Sequence, residues 1–463
     1  MKHITVPCAV DAFLHRKLSG SVFHWRMIGG LLLPLILDGL FSNLIALFAS
    51  ALVSQNGEAT VAAVSLVNPI CTVVTYITGC IVCGGGVVII QCYGRGDMSR
   101  LSASVGMAFW IPLAVCVAVA LPMMLFPRQM LMLLYPEAES VVLEKATVYL
   151  AWNALSQIPY SILTSVLTVS RSIGQTGRAT AANIVCNLSH MLFSILFLNI
   201  MKLDILGYSL SLLGARILGG GLGAVLLFVW KPAVSFNLPE LLVFDKELFR
   251  STLKTSIPFT VDMLLSSAGS IILNAYMIPL GTTAIATHSI ASGMMTMLYA
   301  VPYAAASLAQ ILAGRCLGAG KQDEAYTYGN RCLQLYTIMQ LLVSVIFFLL
   351  LPALLQLFQT SDAVSDTTTK LLLWSLPALI VPFAACNVYT ETIRSAGDSN
   401  YITIVSSAVL LLFNTGLGYI LAIVVEMGLL GVWVAMWCGW FARGALLWWR
   451  FRSRIWLRHK LLK

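Results

Sequence analysis

Two carboxylates, Asp38 and Asp262, lie inside long apolar runs, each four residues after a proline. Four residues make about one helical turn, so each acid sits just past a break in the backbone ladder. A buried carboxylate is costly, and such residues usually face a cavity and bind an ion, exchange a proton or touch a substrate. The plainer role is to satisfy backbone groups that the proline has loosened. The matched placement of the two acids favours function. Arg216 is a third buried charge. At 1.5 Å per residue it lies about 18 Å beyond Asp204, while Asp38 is about 18 Å past Arg26 and Asp262 about 12 Å past Lys254. It is expected either to neutralise Asp38 or Asp262, with Asp38 nearer by connectivity, or to contact an anionic substrate group. The helix-twelve counterpart of Arg216 falls near Trp440, so Asp262 is expected to lack a base of its own and to be the better proton carrier. Asn183 and Asn187, spaced i and i+4, place two amides on one helix face.

Other reactive residue types point to packing. His190 and His288 stand alone on apolar stretches and are expected to pack with a hydrogen bond rather than relay protons. Cys80 and Cys83 form a CxxC with no second pair or ligand histidine nearby, so small apolar packing residues are the better reading. No disulfide is expected among the eleven cysteines. Trp110, Trp152, Trp374, Trp437 and Trp440, with Met294, Met295 and Met297, either line an adaptable apolar cavity or belong to ordinary packing and interface belts. No nucleotide-binding loop or metal cluster is visible, which disfavours ATP-driven and metalloenzyme chemistry.

The elements that position these residues are membrane spans. Apolar residues are 59% of 463 and charged ones only 10%, with mean hydropathy +0.88. A soluble surface needs roughly 25% charged residues, so most of this one must face lipid. Crossing the hydrocarbon takes about 20 apolar residues as helix. Runs of that size occur at 28–54, 59–90, 102–126, 143–170, 179–201, 206–230, 256–280, 284–313, 328–358, 369–392, 401–425 and 428–449. Residues 1–27 read as an amphipathic cytoplasmic lead-in rather than a cleaved signal, 231–255 as a cytoplasmic linker, and 450–463 as a basic cytoplasmic tail. With both termini inside, the inner loops and ends hold 23 of the 28 Lys and Arg, the outer loops 4 and a span Arg216, which sets the orientation. The net charge of +9 then marks topology rather than nucleic-acid binding.

The chain also repeats. A shift of 224 lays Pro34 on Pro258, Asp38 on Asp262, Gly57 on Gly281, Ala62 on Ala286, Cys92 on Cys316, Gly94 on Gly318 and Gly96 on Gly320. A shift of 223 lays Arg171-Ser172-x-Gly174 on Arg394-Ser395-x-Gly397. Each half holds an even number of spans, so the repeats are parallel. The predicted fold is an all-α membrane protein of twelve transmembrane helices. These form two six-helix bundles (28–230 and 256–449) related by a pseudo-two-fold axis along the membrane normal. Substrate is expected between the bundles near the midplane.

The chain carries, in order, Pro34, Gly57-Glu58-Ala59, Val67-Asn68-Pro69-Ile70, Gln91-Cys92-Tyr93-Gly94-Arg95-Gly96-Asp97, Pro279-Leu280-Gly281, His288, Leu317-Gly318-Ala319-Gly320-Lys321 and the two Arg-Ser-x-Gly turns. Taken together these motifs resemble those of the multidrug and toxic compound extrusion (MATE) family, of the multidrug/oligosaccharidyl-lipid/polysaccharide exporter superfamily. The likeness covers nearly the whole chain. It implies an acid in the first helix, where Asp38 stands, and a fifth-helix polar pair, Asn183 and Asn187. Two further acid positions of the family read Ser266 and Phe383 here. The implied function is ion-coupled efflux of amphipathic organic solutes, cationic drugs or metabolites, by alternating access across a bacterial plasma membrane. No cofactor is implied beyond a coupling proton or sodium ion. The expected partners are a small-molecule substrate and membrane lipid, with no nucleic acid, and the expected state is a monomer. A flippase for lipid-linked or anionic substrates is the alternative that Arg216 and the missing acids would suit. From another class, a membrane-embedded enzyme or a non-transporting sensor is disfavoured by the repeat.

Overall fold

A computed structural model describes residues 20–54, 58–137, 139–230, 234, 236, 238–357, 362–459 and 461. Most of the lead-in, Gly57 of the first hairpin, and Lys231, Lys460 and Lys463 lie outside the described residues.

Each apolar run is a helix. The first half comprises α1 (Trp25–Ser54), α2 (Glu58–Arg95), α3 (Met98–Leu125), α4 (Ser140–Ser172), α5 (Thr176–Ser194) and α6 (Asp204–Ala224). The second comprises α7 (Lys246–Met277), α8 (Thr282–Ala300 continued by Tyr303–Gly318) and α9 (Gln322–Leu357). It closes with α10 (Asp362–Ala378 continued by Ala384–Ser395), α11 (Ser399–Val409) and α12 (Gly428–Arg452). Ten of these stretches are apolar and long enough to cross a membrane, and the halves of α8, bent by 45°, make an eleventh.

The twelfth is α4, the run 143–170, whose polar middle lowers its mean hydropathy. Its middle carries Asn153, Ser156, Gln157, Ser161 and Ser165, all buried. It packs against α2, α3, α5 and α6, so these side chains face the bundle and not lipid.

The repeat is written into the hydrogen bonds. Pro34 lacks the amide proton that the Gly30 carbonyl would accept in an unbroken helix. Thr176 Oγ1 donates to that carbonyl at 3.4 Å, and Thr180 Oγ1 donates to Pro34 O at 2.9 Å. In the second bundle Thr403 Oγ1 donates to Pro258 O at 2.8 Å. A threonine on the fifth helix of each bundle therefore pins the proline kink of the first.

The bundles join at one end, where α6 hands over to α7 and α12 runs out into its arginines. This basic end has a shared core in which Phe23, Ile28, Leu31 and Leu35 from the first bundle pack with Ala305, Leu308, Leu312, Tyr389 and Phe451 of the second. Toward the opposite end the cores are separate. One gathers Val67, Tyr149, Leu150 and Ile205; the other gathers Met294, Leu298, Leu372 and Trp433. The chain is thus two lobes closed together at the basic end.

Candidate functional site

Three helices meet at Asp38. Arg171 Nη2 in the last turn of α4 donates to Asp38 Oδ2 at 2.6 Å, and Asn183 Nδ2 on α5 donates to Asp38 Oδ1 at 2.6 Å. Ser42, one turn further along α1, accepts from Asn183 Nδ2 at 3.1 Å and from Asn187 Nδ2 at 3.5 Å. The i, i+4 amide pair therefore does line one face, turned onto α1. The arginine is the correction. Asp38 pairs with Arg171 and not with Arg216, because the helix carrying Arg171 continues inward past the point where hydropathy stops reading as membrane. The charge reaches back along its own stem.

Asp262 occupies the equivalent place in the second lobe and is buried, with 6% of its surface exposed. Arg443 on α12 and Arg394 on α10 both act on its carboxylate, and Ser406 lies beside it with its hydroxyl short of hydrogen-bond geometry. As expected, no base of its lobe forms an ion pair with Asp262 among the described residues, but Arg443, one helical turn beyond Trp440, and Arg394 lie within electrostatic reach of it, which the sequence did not suggest. Arg394 also pairs with Glu391 three residues earlier, both side chains being almost fully buried, and its guanidinium lies 3.9 Å above the Phe259 ring. Glu391 is thus a third acid within the spans, where sequence reasoning counted two. Its signal was the charge-poor run 369–392 ending on a carboxylate.

Arg216 touches neither Asp38 nor Asp262. Its Nη1 donates to Ser156 Oγ at 2.6 Å, and its guanidinium lies 4.6 Å from the centre of the Tyr160 ring. Ser266 and Phe383 stand where acids were looked for. Phe383 packs at a tilt against Trp440 at 4.7 Å and Tyr299 at 5.2 Å.

The histidines pack against rings, but the hydrogen bond expected of them is met only at His288, whose Nε2 lies 3.4 Å from Ser292 Oγ, while His190 Nε2 has no partner among the described residues. His190 meets Tyr208 at 5.7 Å and His288 meets the edge of Trp433 at 5.9 Å. Trp110 and Trp374 are half-exposed on the outer surface, where a lipid-facing tryptophan belongs. Trp437 donates to Ser375 Oγ at 2.9 Å, and Met294 and Met295 are buried in the core of the second lobe. No cluster able to hold a metal ion occurs among the described residues.

The closed end is built as a matched pair of crossings. Gln91 Nε2 on α2 donates to Ser395 O in the second lobe at 2.7 Å. Arg315 Nη2 on α8 donates to Ser172 O in the first lobe at 3.2 Å. Gln91 and Arg315 are 224 residues apart, and Ser172 and Ser395 are 223 apart, so the two bonds are images of each other about the pseudo-axis. Gly94 and Gly318 allow the approach. A Cβ on Gly94 would run into Arg315 O, and one on Gly318 into Gln91 O.

Comparison with known proteins agrees with this architecture. A family profile described as MatE matches residues 34–196 and again 258–420, with bounds displaced by the same 224 residues as the internal repeat. The uncharacterized transporter YisQ of Bacillus subtilis is 26% identical over 421 residues, covering 88% of this chain and 90% of that protein. The probable multidrug resistance protein YoeA of the same organism is 22% identical over 447 residues, covering 95% and 96%. A solved structure described as the outward-facing conformation of a multidrug resistance MATE family transporter superposes with a TM-score of 0.84. It covers 93% of this chain and 95% of that one at 18% identity.

Proposed function

The chain belongs to the MATE family of multi-pass membrane transporters, and on that premise we propose that it is a secondary active antiporter that exports amphipathic organic solutes. In this reading the basic end faces the cytoplasm of a bacterial plasma membrane and a proton or sodium gradient drives the exchange. Membership of a transporter family sets the embedded-enzyme alternative aside. One chain supplies both lobes, so the proposed working unit is a monomer.

The observation that carries alternating access is the paired crossing at the basic end. Two symmetry-related bonds and two glycine contacts join the lobes there beside their shared apolar core. Parting that core and breaking Gln91 from Ser395 and Arg315 from Ser172 would let that end open while the opposite end closes. Rocking two such bundles about a shared axis exposes a central site to each side in turn.

Coupling is proposed at Asp38. A proton on its carboxylate, or a sodium ion beside it, competes directly with Arg171. Since α1, α4 and α5 all meet there, releasing Arg171 frees α1 from the turn that also carries Ser172, the acceptor of the Arg315 bond. A change at the carboxylate thereby reaches the crossing. Asp262, closed from solvent, is proposed as the static member of the pair.

Counterflow in proteoliposomes tests the reading, with pH and sodium gradients imposed separately. Accumulation of a fluorescent amphipathic solute against its gradient under one of them is expected. No counterflow of any tested solute by folded protein would contradict it.

A further inference from the structure

The two lobes match in fold and not in charge. With Arg178 and Arg315, which donate to backbone carbonyls, left aside, the second lobe carries among the described residues two cations and two acids deep in its helices: Arg394 paired with Glu391, and Arg443 within electrostatic reach of Asp262. The first lobe sets Arg171 and Arg216 against Asp38 alone. Arg171 takes that acid, so the excess charge of the first lobe is Arg216. No carboxylate of the described residues pairs with it.

The repeat shows where this charge has been placed. Arg216 aligns with Trp440 at a shift of 224, and Tyr160 with Phe383 at 223. Both pairs are in contact, at 4.6 Å for the guanidinium over Tyr160 and 4.7 Å for the ring centres of Phe383 and Trp440. One locus of the architecture thus carries a cation on a phenol in the first lobe and two apolar rings in the second. Around Arg216, Cys71 on α2, Cys116 on α3, and Cys186 and His190 on α5 lie within its electrostatic reach. Four of the other five helices of the lobe therefore surround the charge. All the residues they bring near are neutral. His190 Nε2 is buried without a hydrogen-bond partner, a spare donor or acceptor on the neighbouring helix.

A guanidinium offers five N–H donors in a planar fork. Ser156 accepts from Nη1, and Arg216 is partly rather than fully buried, with donors of its fork left over. An uncompensated charge at this depth is expensive to keep and marks a ligand contact by default. The chemistry that answers a forked cation is a carboxylate, sulfonate or phosphonate, taken two oxygens at a time. Resting on the transport reading above, we propose that Arg216 and Tyr160 form the subsite for the anionic group of an amphipathic organic anion. The aromatic pair Phe383 and Trp440 in the second lobe then suits the apolar body of the same molecule.

Three matched probes test this with the full chain in lipid nanodiscs: naphthalene-2-acetate, 2-naphthylethylammonium and naphthalene-2-acetamide, with binding read by equilibrium dialysis. The acetate should bind at least about tenfold more tightly than the ammonium. Arg216→Gln should erase that preference and leave acetamide binding within about twofold, while Arg216→Lys should keep part of it. Equal or tighter binding of the ammonium, or no measurable acetate binding by the wild-type chain, overturns the subsite. So does full acetate affinity in Arg216→Gln. Should that variant not fold, the wild-type preference and Arg216→Lys decide alone, and a lysine variant at full acetate affinity with the ammonium bound equally overturns it. Counterflow is scored separately. Acetate bound but not moved keeps the subsite and counts against transport, whereas ammonium moved in preference to acetate keeps transport and overturns the subsite.

Discussion

Replacing Arg171 by alanine strips Asp38 of its charged partner and leaves the amide of Asn183 in place. Both bonds to the carboxylate are 2.6 Å long, and the side chains of Asp38 and Arg171 are 14% and 31% exposed. Removing one member of a fully desolvated pair costs about 3–5 kcal/mol. The exposure of the arginine moves this toward the roughly 1.5–3 kcal/mol of a charge-assisted hydrogen bond. Asp38→Asn should be milder, about 1 kcal/mol, because the freed Arg171 can turn to the basic end and hydrate. The double variant should then fall short of additivity by about 1–2 kcal/mol. The assay is reversible unfolding in mixed detergent micelles with increasing dodecyl sulfate, run on the wild type, both single variants and the double. A coupling within about 0.3 kcal/mol of zero would refute the pairing.

Other consequences follow from the same geometry. In a cysteine-free background, single cysteines near Glu58, Glu137 and Asp362 should label from outside intact cells and one near Lys246 should not; the reverse pattern inverts the orientation. Gly94→Val forces a side chain into the Arg315 carbonyl, so reagent access to cysteines at the basic end should rise, and unchanged access would remove the crossing as a gate. Thr180→Ala and Thr403→Ala should each cost about 1 kcal/mol by unpinning a proline kink, and additively, since they lie in different lobes. A large difference between the two would show that the repeats are not energetically alike.

How much of this was readable beforehand depends on sequence separation. The twelve spans follow from local composition, including α4, whose apolar flanks frame a polar middle. The repeat follows from matched prolines and glycines at a constant shift. Partnerships do not follow. Asp38 and Arg171 are 133 residues apart, and only the packing of α1 beside α4 and α5 decides that Arg171 is the base. Arg171, Arg315 and Arg394 read as loop residues because a charge ends an apolar run, and Arg443, within 428–449, reads with the basic tail. Each is helical, and without them the inner basic count is 19 against 4, which still supports the same orientation. The 223-residue match between Arg171 and Arg394 was visible. Its meaning, that Arg171 binds the aspartate of its lobe while Arg394 binds Glu391, required three dimensions.

Spin-label distances measure the central claim most directly. In a cysteine-free background that retains transport, one label pair would span the lobes at the basic end, at Arg95 and Lys321. A second would span them at the opposite end, at Glu137 and Asp366. As the coupling gradient is mimicked by changing pH or sodium, the account predicts that the basic-end distance lengthens in the population whose opposite-end distance shortens. Distances that stay fixed at both ends across conditions supporting transport, or that lengthen together, would contradict alternating access by this pair of lobes.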